Sequence, residues 1–396
     1  MRKKLRFFIE PFQTFLRWES SSGILLLLCT VLAILLANSP LAASYEHILH
    51  TPIAVRVGDF RLELGLLHWI NDGLMGVFFF AIGLEIKREF RYGELRTKSA
   101  ALLPVTAALG GIIVPALLYT AINCGTPSAV GWGIPMATDI AFALGVMTMA
   151  ARSAPLGLVV FLTALAIVDD LGAIIVIALF YTSALSFSWL FIGILALAAA
   201  FVLGRYDVRS MGAYLLAGGT AWLAFFHAGI HPTIAGVLLG IAIPIAEDPD
   251  DSLLHQLEHQ LEPWSAYFIM PVFALANAGV AISFASFDLA SPIFLGIFIG
   301  LCLGKPIGIA GSVFVLNKLF GAALPGSAPK AQIVSTGMLG GIGFTMSIFI
   351  ASLAFDNAAM LAQAKISILF ASIVSGILGT AAFRIARKHA PAAKES

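Results

Sequence analysis

The chain has 396 residues, of which 59% are hydrophobic and only 11% are charged. About a quarter of the residues are charged in an average soluble domain, so this composition excludes that class and indicates a polytopic membrane protein. The formal net charge of +1 predicts no nucleic-acid partner. Because no polar linker interrupts the hydrophobic segments, residues 1–396 are interpreted as one membrane domain.

The chain begins with MRKKLRFF, and polar residues up to Glu19 break any signal-peptide hydrophobic region before residue 22. Residues 1–20 are therefore predicted to form an uncleaved amphipathic segment. The three cysteines are isolated and form no CxxC pair, which indicates that they are packing residues.

Apolar runs of about 17 to 25 residues can cross the hydrocarbon core of a bilayer. The sequence predicts twelve such spans, near residues 22–38, 67–87, 101–122, 130–151, 156–182, 187–203, 210–227, 229–245, 264–282, 290–317, 331–354 and 361–385. Lysine and arginine concentrate before the first span, in the even-numbered connections and after the last span. This distribution favours cytoplasmic termini, with residues 386–396 as a cytoplasmic tail.

Two loops differ from the others. Residues 52–66 alternate in polarity around Gly58-Asp59, which predicts a β-hairpin. An isolated hairpin is marginal in water, so pairing with a second protomer would explain it; a hairpin lying on its own protein is the alternative. Residues 246–263 are acidic and contain no lysine or arginine, although this loop is predicted to face the cytoplasm.

Four ionisable residues lie deep inside predicted spans: Asp139, Asp169, Asp170 and Lys305. Each unpaired charge costs roughly 2.5 to 3.5 kcal/mol at the bilayer centre, so these charges must be compensated. One lysine balances one acid, which leaves a surplus negative site. Neighbouring helix positions point about 100° apart, so one aspartate of the pair 169–170 is expected to face Lys305 and the other a water-filled cavity.

Burial and an adjacent negative charge both favour the protonated form of the Asp169–Asp170 pair, and the two groups would titrate together. Such a carboxylate can hold either a proton or a cation. Hard cations take carboxylate, hydroxyl and carbonyl oxygens, and Thr138 beside Asp139 supplies further oxygens. Competition between Na+ and H+ for one carboxylate is sufficient to build an exchanger.

Helix-breaking segments fall in the fourth and eleventh predicted spans, at Pro135 with MATD and at GGIGFT (340–345). Non-helical backbone inside a membrane is tolerated only where it is buried or lines a cavity. If spans three to five and ten to twelve are repeats, both breaks fall in the middle member, which is typical of inverted-repeat transporters. Where the broken halves meet, Asp139 is expected to offset helix N-termini and Lys305 helix C-termini.

A second charged group lies near the cytoplasmic ends of the spans. Glu85 and Glu89 are four residues apart and share a helix face. Further candidates occur at helical spacing in the acidic loop: His255, Glu258, His259 and Glu262. Histidine changes charge between about pH 5 and 8, so the group is a candidate pH-responsive cluster. A solvated helix face is equally compatible with this pattern, and His231 is ambiguous in the same way.

Strings along the whole chain resemble the NhaA family of bacterial Na+/H+ antiporters: WINDGLMGVFF with GLEIKRE, GIPMATDIAFALGV, FLTALAIVDDLGAI, HPTIAGVLLG, IMPVFALANAGV, GKPIGI and GGIGFTMSIFIASLAF. The resemblance implies twelve helices in the bacterial inner membrane, crossed broken helices four and eleven, and electrogenic exchange of cytoplasmic Na+ or Li+ for a larger number of protons. It implies no cofactor. This family is among the examples from which the inverted-repeat pattern is known, so the two arguments are not independent.

The resemblance also implies residue roles. The ion-binding pair of the family falls on Asp169 and Asp170, its unwound Thr-Asp on Thr138 and Asp139, and its intramembrane lysine on Lys305. A further set is then assigned to the pH response: Glu85, Glu89, Glu258, His259, His231 and Gly343. Asp72 matches the acid of the second span, and the hairpin 52–66 matches the contact of a homodimer.

The acidic loop departs from the enterobacterial members of the family, because a Lys-Arg pair becomes His255-Gln256 and a histidine becomes Glu262. Exchange is expected to persist with a shifted pH profile. Two other functions are compatible with buried acids. A sodium-coupled symporter would need an organic-substrate pocket, for which no further cationic or aromatic cluster is evident. An intramembrane aspartyl protease would use Asp139 and Asp169, but the sequence contains no GxGD motif.

Overall fold

The protein is described by a computed structural model that covers residues 21–58, 60–150, 155–182, 185–246, 252–282 and 288–388. The predicted N-terminal segment 1–20 and residues 389–396 of the predicted tail lie outside the described residues. Within the described ranges the chain is mostly helical.

The helices and strands follow in this order: α1 Ser21–Ala37, α2 Ala42–His50, β1 Pro52–Val57, β2 Phe60–Gly65, α3 Leu66–Arg91, α4 Lys98–Asn123, a 3₁₀ helix Pro127–Met136, α5 Ile140–Ala150, α6 Leu156–Phe180, α7 Phe187–Arg205, α8 Met211–Ala228, α9 Thr233–Ala242, α10 Leu253–Trp264, a π turn Ser265–Ile269, α11 Met270–Asn277, α12 Pro292–Phe320, a 3₁₀ turn Pro325–Ser327, α13 Lys330–Leu339, α14 Phe344–Ala354 and α15 Ala358–Lys388.

Among the described residues, six helices are long and apolar enough to cross a membrane, or nine spans if each strongly bent pair counts as one. The twelve predicted spans are not reproduced by this measure, because the regions 210–227, 229–245 and 264–282 form shorter or less apolar helices. The ten-residue helix α9 shows the reason: Pro232 precedes it and Pro244 follows it closely. At 1.5 Å per residue it extends only about 15 Å.

Two strands form a hairpin at one end of the fold, which we call the hairpin side. Strand β1 pairs antiparallel with β2, with Ile53 opposite Leu64 and Arg56 opposite Arg61. The Trp69 indole nitrogen donates a hydrogen bond to the Ile53 carbonyl oxygen at 3.1 Å. The hairpin is thereby tied to the first turns of α3. Helix α2, which precedes the hairpin, bends 112° away from α1 and was not predicted.

Helices α3 and α9 pack closely because glycines face each other along the contact. A Cβ on Gly83 would overlap the Val237 carbonyl oxygen, and a Cβ on Gly240 would lie 2.6 Å from the Phe80 carbonyl oxygen. Small residues of this kind let helix backbones approach within a membrane. The Lys87 ammonium group donates to the Ile241 carbonyl at 2.8 Å and to the Ile243 carbonyl, so it satisfies carbonyls at the end of α9.

The two predicted helix breaks are confirmed. The 3₁₀ helix and α5 meet at an angle of 46° around residues 137–139, and α13 and α14 meet at 46° around residues 340–343. Hydrogen bonds join the two breaks: the Asp139 amide donates to the Ile342 carbonyl at 2.7 Å, and the Thr138 hydroxyl donates to the Gly340 carbonyl at 2.8 Å. The two interrupted helices therefore satisfy part of each other's free backbone groups inside the fold.

Candidate ion-binding site

Asp139 caps two helices at the crossing. Its Oδ1 accepts a hydrogen bond from the Phe142 amide at 3.0 Å, three residues along, which is the usual N-cap contact at the start of α5. Its Oδ2 accepts from the Thr345 amide at 3.1 Å, in the first turn of α14, and from the Thr345 hydroxyl. The expected position of Asp139 at helix N-termini is thus confirmed, and its charge is offset by two helix dipoles.

Lys305 follows a π turn, Gly300–Gly304, within α12. Pro306 provides the physical reason, since it lacks an amide hydrogen and its ring would clash with the Cys302 carbonyl four residues earlier. The wider turn avoids that clash, and the Lys305 amide donates to the Gly300 carbonyl instead.

The ammonium group of Lys305 donates to Asp169 Oδ2 at 2.6 Å, and both side chains are fully buried. The partner of Lys305 in the structure is therefore a carboxylate of α6, as expected for one aspartate of the pair 169–170; a contact of Lys305 with helix C-termini, the other expectation, is not among the hydrogen bonds of the described residues. At the helix break near residue 340, the Gly340 carbonyl accepts a hydrogen bond from the Thr138 hydroxyl, so this carbonyl is satisfied within the crossing.

Asp170 lies at a cavity of about 550 Å³ that the Asp139 side chain also lines. Asp169 Oδ1 and Asp170 Oδ1 are buried and accept no hydrogen bond from the part of the chain that the structure describes. A buried carboxylate oxygen without a donor is costly, so each oxygen is suited to bind a proton, a water molecule or a cation. The two aspartates thus divide between an ion pair and a cavity.

The same cavity continues to the end of the fold opposite the hairpin, which we call the acidic side. Its polar lining there comes from α3, α6, α10 and the following π turn: Glu85, Arg88, Thr163, His255, Glu258, His259, Glu262 and Ser265. The sequence-predicted residues Glu85, Glu258 and His259 are therefore brought into one space with Asp139 and Asp170. This arrangement provides a negatively charged route from the acidic side to the aspartates.

Arg88, which the sequence analysis did not single out, is the centre of the acidic side. Its guanidinium group contacts Glu258 Oε1 at 2.7 Å, Glu89 Oε1 at 2.6 Å and Glu85 Oε1 at 4.0 Å. Its position three residues after Glu85 was the available sequence signal. Glu89 also accepts from the Glu94 amide at 2.9 Å, so this carboxylate holds the turn after α3 and does not line the cavity of Asp170.

The remaining predicted residues lie elsewhere. His231 Nε2 is 3.8 Å from Asp72 Oδ1, and His231 Nδ1 is 3.0 Å from the Thr233 hydroxyl, in the turn before α9. Gly343 lies at the start of α14, where a Cβ would overlap the Ser347 hydroxyl and lie 3.1 Å from the Ala137 carbonyl. Close packing at the crossing therefore accounts for this glycine.

In the described residues, no group of three or more His, Cys, Asp or Glu side chains is arranged to hold a metal ion. A cation at Asp169 and Asp170 would be a transported substrate held by few protein charges. Its remaining ligands would be hydroxyl, carbonyl or water oxygens, which hard cations accept.

A helical membrane protein in which two broken helices cross beside three buried aspartates and one lysine belongs, by fold and site, to the class of secondary ion transporters. The comparisons with known proteins agree. The model of the family described as Na+/H+ antiporter 1 matches residues 13–383, so the chain belongs to this family of transporters rather than to the enzymes.

Similar proteins share most of their length with the chain. The Na(+)/H(+) antiporter NhaA 2 of Clostridium beijerinckii is 50% identical and covers 95% of this chain and 94% of its own length. The NhaA antiporter of Salmonella arizonae is 48% identical, over 97% of this chain and 100% of its own. The NhaA antiporter of Oleidesulfovibrio alaskensis is 46% identical, over 95% of this chain and 94% of its own length.

Proposed function

We propose that the chain exports Na+ or Li+ from the cytoplasm in exchange for external protons, at the Asp169–Asp170 pair. The observation that carries this proposal is the division of the pair: Asp169 is bonded through Oδ2 to Lys305, whereas Asp170 lines a cavity with an acidic entrance, and Oδ1 of each residue accepts no hydrogen bond from the described residues. The cavity can deliver a hydrated cation, and the free carboxylate oxygen can take either ion.

The exchange follows from competition. A proton and a Na+ ion cannot occupy the same carboxylate oxygen, so binding of one releases the other. If Asp169 leaves Lys305 to join Asp170 around the cation, a second proton binds elsewhere in the cycle, on Asp169 or Lys305. More than one proton then moves per cation, which makes the exchange electrogenic.

Alternating access requires that the aspartates lose contact with one side before they reach the other. Orientation by the lysine and arginine distribution places the acidic side in the cytoplasm and both termini inside. The described cavity is then open inward. The two 46° breaks, in the middle members of the two predicted repeats, are the positions at which a twelve-span inverted-repeat transporter would rearrange around the site.

The pH response is proposed to reside at the acidic entrance. Arg88 contacts Glu85, Glu89 and Glu258, and the histidines 255 and 259 lie beside this group. The excess of carboxylates over this arginine would attract cations to the entrance of the cavity. The hairpin 52–66 is proposed as the homodimer contact, since its strand edges are free to pair with a second copy.

The decisive experiment measures the collapse of a preset pH gradient in proteoliposomes on addition of Na+, Li+ or K+. Na+ and Li+ responses are expected for the parent protein and a loss of at least a hundredfold in rate for Asp170→Asn. The matched control is Asp207→Asn, an exposed acid at φ 52°, a conformation that asparagine also tolerates.

Full activity of Asp170→Asn would refute the proposed site. A parent protein that moves protons only when an organic solute is added together with Na+ would instead favour a symporter. The control must retain the parent rate for either result to be interpreted.

A further inference from the structure

A second space lies away from the aspartates, between α3 and α8. It is a crevice of about 390 Å³, and α9, which packs against both helices, lines its inner side with Ala235, Gly236 and Leu239. Gly219 faces open space, since a Cβ built on it would meet no atom within 4 Å. An apolar cavity of about 150 Å³ is already large enough to bind benzene, so this crevice can hold a larger apolar group.

The polar groups of the aromatic residues that line the crevice are already bonded to the protein. The Trp222 indole donates to the Asp72 carbonyl at 2.9 Å, the Trp69 indole to the Ile53 carbonyl, and the Tyr214 hydroxyl to the Val208 carbonyl at 3.0 Å. The exposed Gln260 of α10 supplies an amide to the lining, beside Leu257 and Leu261 of the same helix. Elsewhere an occupant finds aliphatic and aromatic carbon. This chemistry fits an alkyl chain and does not fit a polar solute.

The crevice opens to the outside of the helix bundle. Val77 is 41% exposed and Leu215 is 60% exposed, and both residues line it. Because α3 is a membrane-spanning helix, the medium at this opening is lipid hydrocarbon.

The length of the crevice matches one leaflet of a bilayer. On α3 the lining runs from Trp69 to Phe80 and on α8 from Trp222 to Met211, which is eleven residue steps in each case. On α8, eleven steps of α-helix rise about 16 Å, and half of a hydrocarbon core is about 15 Å. One end is closed by the stacked rings of Trp69 and Trp222, whose centroids are 6.0 Å apart.

We propose that this crevice is a binding site for one acyl chain of a membrane phospholipid. The chain would lie between α3 and α8 against the glycines, with its end near the Trp69–Trp222 pair. Trp222 is bonded to the carbonyl of Asp72 on α3, whose side chain faces His231 in the turn before α9, so the lipid would lie beside the part of α3 that contacts His231.

The test uses tryptophan fluorescence and a phosphatidylcholine with brominated acyl chains, because bromine quenches tryptophan at contact. The starting variant keeps only Trp69 and Trp222, with the other tryptophans replaced by phenylalanine at positions 18, 132, 189 and 264. Titration of the lipid into detergent-solubilised protein is expected to give saturable quenching.

Gly219→Leu places a side chain in the crevice and is expected to raise the half-saturating lipid concentration at least tenfold. The matched control is Gly212→Leu on the same helix, where a Cβ also meets no atom within 4 Å but the residue does not line the crevice. The control is expected to behave as the parent. Val77→Phe fills the crevice from α3 and provides the same test should Gly219→Leu fail to fold.

Quenching that rises without saturation, and equally in all variants, would show only ordinary contact with lipid and would overturn the proposal. Saturable quenching that survives both filling variants would overturn it as well. Light scattering of the parent and of Gly219→Leu measures their oligomeric state. If the parent is a dimer, Gly219→Leu is a monomer and lipid quenching is unchanged, the crevice binds a second copy of the chain and the proposal is overturned.

Discussion

The ion pair between Asp169 and Lys305 is withdrawn from bulk solvent, because both side chains are completely buried. Removal of one partner from such a pair typically costs about 3 to 5 kcal/mol, since the other charge is left uncompensated. Asp170, in contrast, lies at a cavity and depends on its occupant for compensation. The two neighbouring acids therefore respond differently to substitution.

Lys305→Gln is expected to lower the thermal unfolding temperature at alkaline pH, where Asp169 retains its charge. The double variant Asp169→Asn/Lys305→Gln removes both charges and is expected to recover most of this loss. Thermal unfolding in detergent, followed for the parent, both single variants and the double variant, measures the coupling. Equal unfolding temperatures for Lys305→Gln and the double variant would contradict an energetically important ion pair.

Competition at Asp170 predicts a specific pH dependence. As pH falls, more protons compete for the carboxylate, so the half-saturating Na+ concentration is expected to rise, by up to about tenfold per pH unit for each proton displaced. The measurement is the Na+ dependence of pH-gradient collapse at several pH values, with the maximal rate fitted separately. A half-saturating Na+ concentration that does not change with pH would refute competition.

At the scale of elements, the contact between α3 and α9 bears on the site, because α3 carries Glu85 and Arg88. Glycines make this packing possible, and the backbone of one helix occupies the space of a side chain on the other. The Lys87 contacts with the end of α9 hold the same two helices together near the acidic side. Glu85 and Arg88 are thereby placed at the cavity by a rigid pair.

Gly83→Ala is expected to destabilise this pair, since the new methyl group would overlap the Val237 carbonyl oxygen and backbone cannot move aside cheaply. Overpacking of this kind typically costs about 1 to 3 kcal/mol. The control is Gly311→Ala in α12, where a Cβ meets no atom within 4 Å and alanine favours the helix. The unfolding temperature should therefore fall for Gly83→Ala and rise for Gly311→Ala, each relative to the parent. Similar unfolding temperatures for the two variants would argue against the glycine contact.

The whole molecule has an orientation that its exposed cysteine can report. Cys124 is exposed at the end of α4, and Lys98 begins the same helix. If the lysine-rich end is cytoplasmic, Cys124 lies outside. A membrane-impermeant maleimide is expected to label it on intact spheroplasts, in a variant with Cys29→Ala and Cys302→Ala.

The control for orientation is Ser99→Cys in a background without the three native cysteines, since Ser99 is exposed at the opposite end of α4. It is expected to react only after the membrane is permeabilised. The reverse pattern of labelling would invert the proposed topology.

The sequence predicted those features that follow from local chemistry. The breaks at Pro135-MATD and GGIGFT follow from proline and glycine, and the partner of Lys305 had to be an acid because a buried lysine requires one. The sequence did not show which of the two aspartates pairs with Lys305, because that depends on how α6 and α12 are placed relative to each other. The crevice beside α9 also depends on tertiary contacts that no local pattern encodes, whereas the short length of α9 could have been predicted from Pro232 and Pro244.

Lys87 places its ammonium group where α9 ends, on the carbonyl oxygens of Ile241 and Ile243. A helix that stops within hydrocarbon leaves carbonyl groups without hydration, and a membrane must thin or admit water to supply it. Lys87, on the neighbouring helix α3, donates the hydrogen bonds that water would otherwise supply to these carbonyl groups. No residue of α9 is exposed, so a helix about half as long as the membrane is thick is completed from within the protein, and the lipid around the bundle need not thin to meet its end.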